Sequence, residues 1–298
     1  MSDTVASLRV KIDGADKIKS VVRTMKAMAA SSIGQYETAL LGLGDYERTV
    51  ALGLTACLRQ ADFAAAPSLA RRNGETTGAI AFGSDQGLVG QFNETMASFV
   101  VETLLKQPGQ KRIWVVGERL YSRLADAGLA VVGPYPVPNS VSAITQLVSR
   151  VQIECEAQSQ LGDYEYAHVY LFHNRPKTGA QYDAIYQRLL PLDASWQRAL
   201  AASPWPTHAL PQAVRNGSDL LRALVREYLF ISLFKACAES LAGENASRLA
   251  AMQRAEKNID ELSSKLRRTF SRLRQNSIDE ELFDVIAGFN ALAPDKRT

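Results

Sequence analysis

Apolar residues recur every three or four positions along the first part of the chain, from Leu8 to Cys57. This spacing places them on one side of a single helix, and it continues well beyond the usual three or four turns. A narrow stripe sustained over this length is typical of a coiled-coil strand. The stripe consists of Leu8, Ile12, Ala15, Ile18, Val22, Met25, Ala29, Ile33, Tyr36, Leu40, Leu43, Tyr46, Val50, Leu54 and Cys57.

The same spacing returns near the C-terminus. It runs from Met252 to Leu273 and, after a five-residue step, resumes from Ile278 to Leu292. Residues 1–66 and 212–293 contain no proline, which costs about 3 kcal/mol inside a helix. Because a narrow stripe needs a partner, we expect the two terminal helices to form a long antiparallel coiled coil.

An alternative is that each terminal region forms several shorter helices of a bundle. Glycines would mark the breaks, although a glycine costs only about 1 kcal/mol in a helix interior and so does not require one. The candidate break points are Gly34, Gly42, Gly44, Gly53, Gly217, Gly243 and Gly288.

The middle of the chain has a different pattern, with short apolar runs of strand length between segments of helical spacing. This alternation predicts an α/β domain of the Rossmann-like type, a mostly parallel sheet with helices on its faces, inserted between the terminal helices. The predicted strands are 78–82, 113–116, 129–132 and 168–172, with 182–192 as an added edge strand, and the predicted helices are 94–106, 118–127 and 140–161.

Prolines indicate where this domain has irregular connections. Pro134, Pro136 and Pro138 predict a stiff connection, and the stretch from Pro191 to Pro211 predicts a long irregular link that includes Trp196, Trp205 and His208. The predicted domains are an N-terminal coiled-coil helix at 1–66, an α/β domain with its exit link at 67–211, and a C-terminal coiled-coil helix at 212–298.

Composition narrows the class of protein. Cys57, Cys155 and Cys237 lie far apart, so neither a zinc site nor a disulfide framework is indicated. Apolar stretches are shorter than the roughly 18 residues that span a bilayer, and the N-terminus lacks the apolar core of a signal peptide. We therefore expect no direct membrane insertion, and a partner would bring the chain to any membrane it meets.

The segment GSDQGLVGQFN, residues 83–93, follows a predicted strand and precedes a predicted helix. It could cradle a phosphate, but it has neither the lysine of a Walker loop nor the glycine spacing of a dinucleotide fingerprint. We favour a tight turn that packs helix on strand. The alternative function is an α/β nucleotide-binding enzyme with a coiled-coil arm.

No catalytic or metal-binding constellation emerges from the sequence. His168 and His173 are five residues apart in a predicted strand and point to opposite faces, so they cannot share a metal. His208 is isolated, and no nucleophile motif is present. We expect no metal and no cofactor.

Charge is distributed unevenly along the terminal helices. The segment between Ser247 and Gln275 contains eight basic residues and only three acidic residues. Such a run is usually a solvated helix face, yet it also fits an anionic partner such as nucleic acid, a membrane surface or an acidic ring of protein. Phe270 is the only aromatic residue there, which disfavours single-stranded nucleic acid.

Four segments, two of them in the C-terminal helix, resemble the γ subunit of F-type ATP synthases. ESLAGENASRLAAM, which begins at Glu239, and RQNSIDEEL, which begins at Arg274, are similar to the family patterns E-x-L-A-x-E-x-A-x-R-x-x-A-M and R-Q-x-S-I-x-x-E-L. VKIDGADKIKSVVRTMKAMAAS near the N-terminus resembles K-I-x-x-x-x-x-I-x-x-x-M-x-x-x-A-A-S. SDQGLVGQFN resembles S-D-R-G-L-C-G-G-L-N. The resemblance covers the whole chain in the family's order.

The resemblance implies a non-catalytic rotor shaft that couples ion translocation to ATP synthesis or hydrolysis. The coiled coil would stand inside a ring of α and β subunits, and the α/β domain would lie beside the membrane c-ring, with the ε subunit as a further partner. It also implies a peripheral location at the cytoplasmic face of the cell membrane, and no nucleic-acid partner.

The resemblance also implies which residues contact the catalytic ring. Arg274 and Gln275 match a pair that engages a loop of the catalytic subunits, and guanidinium forks suit carboxylates on such a ring. Met25 matches a methionine of the facing helix and suits a sliding apolar contact, besides being in the predicted seam. The remaining matched positions are Ser277, Ile278, Glu281, Leu282 and Arg248.

The chain also departs from the family pattern. Asp279 stands where a threonine or another small polar residue is common, Val89 and Gln91 replace a cysteine and a glycine, and Ser32 replaces a basic residue. The link at Trp205 to His208 lacks an expected acidic residue. These departures indicate a divergent or second-copy γ subunit.

Overall fold

The computed structural model describes residues 4–59, 76–160, 166–177, 181–192, 194–206 and 217–292. By contact density the chain divides into two compact units, one formed by residues 1–28 with 250–298 and the other by residues 29–249. The predicted domain limits at 66 and 211 fall outside the described residues and stay predictions.

Each terminal region forms one uninterrupted helix, so the bundle of short helices is wrong. Helix α1 spans Val5–Arg59 and helix α6 spans Gly217–Leu292. Within α1 a series of buried positions recurs every seven residues, with only position 43 half-buried, which is the repeat of a coiled-coil seam. They are Leu8, Ala15, Val22, Ala29, Tyr36, Val50 and Cys57.

The glycines inside these helices are tolerated for two reasons. Gly34, Gly42 and Gly44 have no atom within 4 Å of an added Cβ, so each costs only about 1 kcal/mol of helix propensity and disturbs no packing. At Gly53 an added Cβ would lie 3.1 Å from the Leu224 side chain, so here the missing side chain allows α6 to approach. The buried seam outweighs these local costs.

Three residues of the predicted stripes are exposed before position 274. Ile18, Tyr46 and Leu262 have 58%, 43% and 51% of their surface accessible, and the neighbour of Leu262, Ser263, is buried instead. A step of four from Ile259 fits the helical period as well as a step of three, so spacing alone could not choose between positions 262 and 263.

The predicted α/β domain is confirmed as a five-stranded sheet in the order β3-β2-β1-β4-β5. Strands β1 to β4 run parallel, and β5 pairs antiparallel with β4 at the edge. The elements in chain order are β1 (Thr76–Phe82), α2 (Phe92–Leu105), β2 (Gln110–Val116), α3 (Glu118–Asp126), β3 (Val131–Tyr135), α4 (Val141–Gln160), β4 (Tyr166–Pro176) and β5 (Tyr182–Leu190).

Successive residues of the central strands pack on opposite faces of the sheet. Ala79 of β1 and Ile113 of β2 pack with α2 and α3. Ile80 and Trp114, one residue further along, pack with α4 and with the parts of α1 and α6 that belong to this unit. Because both faces are covered, β1 is buried along its whole length, as expected for a central parallel strand.

Two predicted connections contain regular structure. Pro134 lies inside β3, an edge strand, where the missing N–H is tolerated. The stretch after Pro191, predicted to be irregular, contains helix α5 (Ala194–Ala201). Its sequence is rich in strong helix formers and free of proline, and Trp196 packs with its ring centroid 5.2 Å from that of Tyr228. His208 lies outside the described residues.

None of the helices in the described ranges has an apolar stretch long enough to cross a bilayer.

Candidate functional site

Ion pairs between α1 and α6 fix an antiparallel register in the unit that holds the chain ends. The Arg267 guanidinium donates to Asp16 at 2.9 Å, and Lys19 pairs with Asp260. Glu256 accepts hydrogen bonds from Arg23 at 2.8 Å and Lys26 at 2.5 Å. Arg267, which belongs to the basic run that suggested an anionic partner, therefore neutralises an acid of the facing helix, as do three basic residues of α1.

We expect the Glu256 cluster to make the stability of the chain depend on pH. The hydrogen bonds from Lys26 and Arg23 lower the pKa of Glu256 from 4.5 to about 2. Since the folded-state pKa is depressed, this stabilisation is complete above about pH 4.5 and is lost as the pH falls towards 2. Thermal unfolding of wild type and Glu256→Gln should therefore differ at pH 7 and converge near pH 2.

The matched control is Glu261→Gln, which alters an exposed carboxylate of the same helix. This variant should follow the wild-type melting temperature across the whole pH range. Parallel wild-type and Glu256→Gln curves down to pH 2 would contradict the assignment.

The predicted contact residues near the C-terminus lie together on the exposed end of α6. Arg274, Gln275, Ser277 and Glu281 are all exposed. Large apolar side chains lie beside them, with exposures of 53% to 69% at Ile278, Leu282, Phe283 and Val285. The stripe from Ile278 was predicted to continue the seam, but this is wrong for its described positions.

The register explains this exposure. The paired positions of the two helices have sequence numbers that add to about 280, as for Asp16 with Arg267 and Lys19 with Asp260. Residues beyond about 276 would need partners before Thr4, the first described residue. Within the described residues, this end of α6 therefore has no facing helix.

Met25 and Arg248 have different surroundings from these exposed residues. Met25 is half-buried on α1, as expected for a residue at the margin of the seam. Arg248 has only 13% of its side chain exposed and donates to Glu244 at 2.7 Å, and Glu244 is 6% exposed. The predicted contact of Arg248 with a ring stays a prediction, and the structure adds an intramolecular partner.

The segment 83–93 packs against α6. Ser247 donates its hydroxyl hydrogen to the Val89 carbonyl at 2.5 Å, and Val89 is 2% exposed. Gly90 has a φ of 62°, a backbone conformation that residues with a side chain rarely adopt, whereas an added Cβ would make only an ordinary 3.7 Å contact with the Ser247 hydroxyl. The predicted turn packing helix on strand is confirmed at Gly83, where an added Cβ would lie 2.3 Å from Leu120.

The first two backbone amides of the segment, which could bind a phosphate, donate to partners within the chain. The Gly83 N–H donates to Val116, and the Ser84 N–H donates to the Asn93 side chain. Asp85 accepts hydrogen bonds from the N–H groups of Glu118, at the start of α3, and Val137. A carboxylate of the chain itself thus occupies the N-terminus of α3, where an anionic ligand could otherwise bind.

Helix α6 also covers the crevice between the carboxyl ends of β1 and β4, where Rossmann-like folds bind ligands. An added Cβ on Gly243 would lie 3.5 Å from the Asn174 carbonyl, so the helix backbone approaches β4 closely. His173 lies 2.7 Å from Glu239, which also accepts from Arg175. Although burial opposes it, these hydrogen bonds lower the pKa of Glu239.

The sequence alone did not predict two buried polar contacts, the pair of Glu244 and Arg248 within α6 and the pair of His173 and Glu239 between the sheet and α6. The i, i+4 spacing of Glu244 and Arg248 is a signal that could have predicted their pairing. The pairing of His173 with Glu239 had no such signal, because the two residues are 66 positions apart. Burial and the nearby Asp85 carboxylate raise the pKa of Glu244, against the opposing effect of Arg248.

Comparisons with known proteins agree with this architecture. A sequence model of the ATP synthase family matches residues 4–292. The ATP synthase gamma chain of Syntrophus aciditrophicus (strain SB) is 26% identical over 296 residues, which cover 96% of this chain and 97% of the relative. That of Hydrogenobaculum sp. (strain Y04AAS1) is 24% identical over 295 residues, covering 96% and 97%.

Solved structures show the same fold. A chain of the Euglena gracilis mitochondrial ATP synthase, in an assembly of OSCP, F1 and c-ring, matches with a TM-score of 0.61 and 16% identity, covering 99% of this chain and 98% of that chain. One from the Tetrahymena thermophila mitochondrial ATP synthase central stalk and c-ring matches with a TM-score of 0.53 and 22% identity, covering 79% and 99%. Since the family model spans nearly the whole chain and these relatives match end to end, the chain belongs to the ATP synthase gamma-chain family.

Proposed function

We propose that this chain is the central-stalk rotor subunit of an F-type ATP synthase, coupling ion translocation through the membrane sector to ATP synthesis or hydrolysis in the catalytic ring. The observation that carries the proposal is the antiparallel pair of terminal helices, on which α6 exposes an apolar end beyond the reach of α1. The subunit itself is non-catalytic, as are the members of its family.

The mechanism requires differential binding between the shaft and the states of the ring. A helix end with apolar residues on one side and charged residues on another presents a different surface to each catalytic subunit as it turns. A rotor that binds the three ring states unequally shifts their populations, and linkage requires that nucleotide binding in turn bias the rotor.

The partners of this function are the α and β subunits of the ring, the ε subunit and the membrane c-ring. The chain is a peripheral subunit of the F1 sector. We further propose that it resides at the cytoplasmic face of the cell membrane, where its ring would have access to cytoplasmic nucleotides.

The alternative of a nucleotide-binding enzyme has less support. The loop amides at residues 83 and 84 have partners within the chain, and α6 covers the crevice at the sheet edge. A coiled coil that binds nucleic acid is also less favoured, because Arg23, Lys26 and Arg267 pair with acids of the facing helix.

Purification of the complex tests the proposal directly. The wild-type chain, isolated under native conditions from its own cells, is expected to carry with it a ring of subunits that hydrolyses ATP. Recovery of the chain without such a ring would overturn the proposed function.

We expect Arg274→Ala to uncouple the complex while leaving the chain folded. Arg274 is exposed, so its loss should not change the melting temperature of the isolated chain. Loss of one charge-assisted hydrogen bond to the ring, about 1.5 kcal/mol, should lower coupled ATP synthesis about tenfold. The measurement is ATP synthesis in reconstituted vesicles driven by an ion gradient.

Arg222→Ala is the matched control, since Arg222 is also a surface arginine of α6, with 76% of its side chain exposed. It belongs to the other compact unit and is not part of the predicted contact. Equal synthesis rates in the two variants would show that Arg274 has no special part in coupling.

A further inference from the structure

The exposed end of α6, defined here as residues 275–288, has an apolar face and an acidic face. On a helix that turns about 100° per residue, Val285, Ile278, Leu282, Ile286 and Phe283 follow one another around a single arc. Each of them has at least 45% of its surface exposed. Glu280, Glu281 and Asp284 lie outside this arc, and the segment contains no basic residue.

Asp279 is the exception to this separation. It lies about 20° from Ile286 and about 40° from Phe283 around the helix axis, inside the apolar arc. Asp284, by contrast, lies about 140° away on the acidic face. Asp279 is exposed in the isolated chain, so its carboxylate is hydrated there.

Docking of the apolar arc would change the surroundings of Asp279. A partner that covers Phe283 and Ile286 must also remove water from the carboxylate between them. An ionised carboxylate is costly to bury unless a cation and hydrogen bonds replace the lost water. The acids on the opposite face can remain hydrated and need no such partner.

Resting on the proposed function, we propose that the ring of this complex presents an arginine or lysine to Asp279 within an otherwise apolar contact. Asp279 is then a determinant of specificity, because a ring with an apolar or acidic residue at that place would leave a buried carboxylate unpaired. The chain would select its own ring over a related one by this single charge.

Binding of the purified chain to its own ring, prepared without the chain, tests the inference. Asp279→Asn is expected to weaken binding about 30-fold or more, the usual consequence of removing one member of a buried charge pair. Asp284→Asn, which removes an equal charge from the acidic face, should change binding less than about threefold. Circular dichroism should show unchanged helix content in both variants.

The outcomes separate the two proposals. If the wild-type chain fails to bind the ring, the proposed function fails. If the wild-type chain binds and Asp279→Asn binds equally well or more tightly, the proposed function stands and the cation opposite Asp279 is refuted. Equal weakening by Asp279→Asn and Asp284→Asn would also refute it, since it would show only a general effect of net charge.

Discussion

Replacement of Gly117 by alanine is expected to destabilise the α/β domain strongly. Gly117 follows β2 with φ 103° and ψ 121°, a conformation that residues with a Cβ rarely adopt. An added Cβ would lie 2.7 Å from the backbone nitrogen of Ser84 and 2.8 Å from the carbonyl carbon of Gly83. Backbone strain and overpacking together should lower the unfolding free energy by about 4 kcal/mol or more.

The clash at Gly117 cannot be relieved by a side-chain rotation, because the neighbouring atoms are backbone. They belong to the segment 83–93, which is held by the Gly83 N–H at 2.8 Å from the Val116 carbonyl and by the Arg119 N–H at 3.0 Å from the Ser84 carbonyl. Relief would require breaking these hydrogen bonds at the edge of the sheet.

Gly128→Ala provides the matched control for this prediction. Gly128 also has a positive φ, 77°, but no atom lies within 4 Å of an added Cβ. The alanine at position 128 should then lower the unfolding free energy by only about 1 kcal/mol, the cost of the left-handed backbone conformation. Urea unfolding followed by circular dichroism should show a much larger loss for Gly117→Ala, and equal midpoints would contradict the close approach.

Loss of Arg248 is the second large effect that we expect. Arg248→Met leaves the Glu244 carboxylate buried without its partner, which should cost about 3–5 kcal/mol of unfolding free energy. The measurement is urea unfolding of the isolated chain near neutral pH. A urea midpoint equal to that of wild type would show that the pair does not contribute to stability.

A double-mutant cycle distinguishes the intramolecular role of Arg248 from its predicted contact with the ring. Glu244→Leu combined with Arg248→Met replaces the pair by apolar groups and should recover most of the lost stability. If Arg248 also binds the ring, the double variant will fold but synthesise ATP slowly. Full recovery of both stability and coupled synthesis would refute the ring contact of Arg248.

The terminal helices and the strands were predictable because their signals are local. A stripe from Leu8 to Cys57 and short apolar runs such as 78–82 depend only on the period of a helix or the length of a buried strand. The order of strands and helices then predicted a mostly parallel sheet, since successive parallel strands need helical crossovers. The five strands and their helices were found within a few residues of the predicted bounds.

The candidate site was predictable only in part. The segment from Arg274 to Leu282 was recognised by its resemblance to a family, and the structure places its described side chains on an exposed helix end. The Glu244–Arg248 pair was missed although its i, i+4 spacing is a local signal. The packing of residues 83–93 against α6 was also missed, because it joins residues far apart in sequence, such as Val89 and Ser247, and no periodicity encodes such a contact.

The sequence by itself determined where the chain is helical, where it forms strands and which residues could lie in a seam. Only the tertiary structure decided which of those residues have a partner. The antiparallel register buries Ser263 rather than Leu262 and leaves Ile278 and Leu282 exposed, because the described part of α1 does not extend far enough to face them. Periodicity is a property of one helix, whereas burial depends on the length and position of the element packed against it.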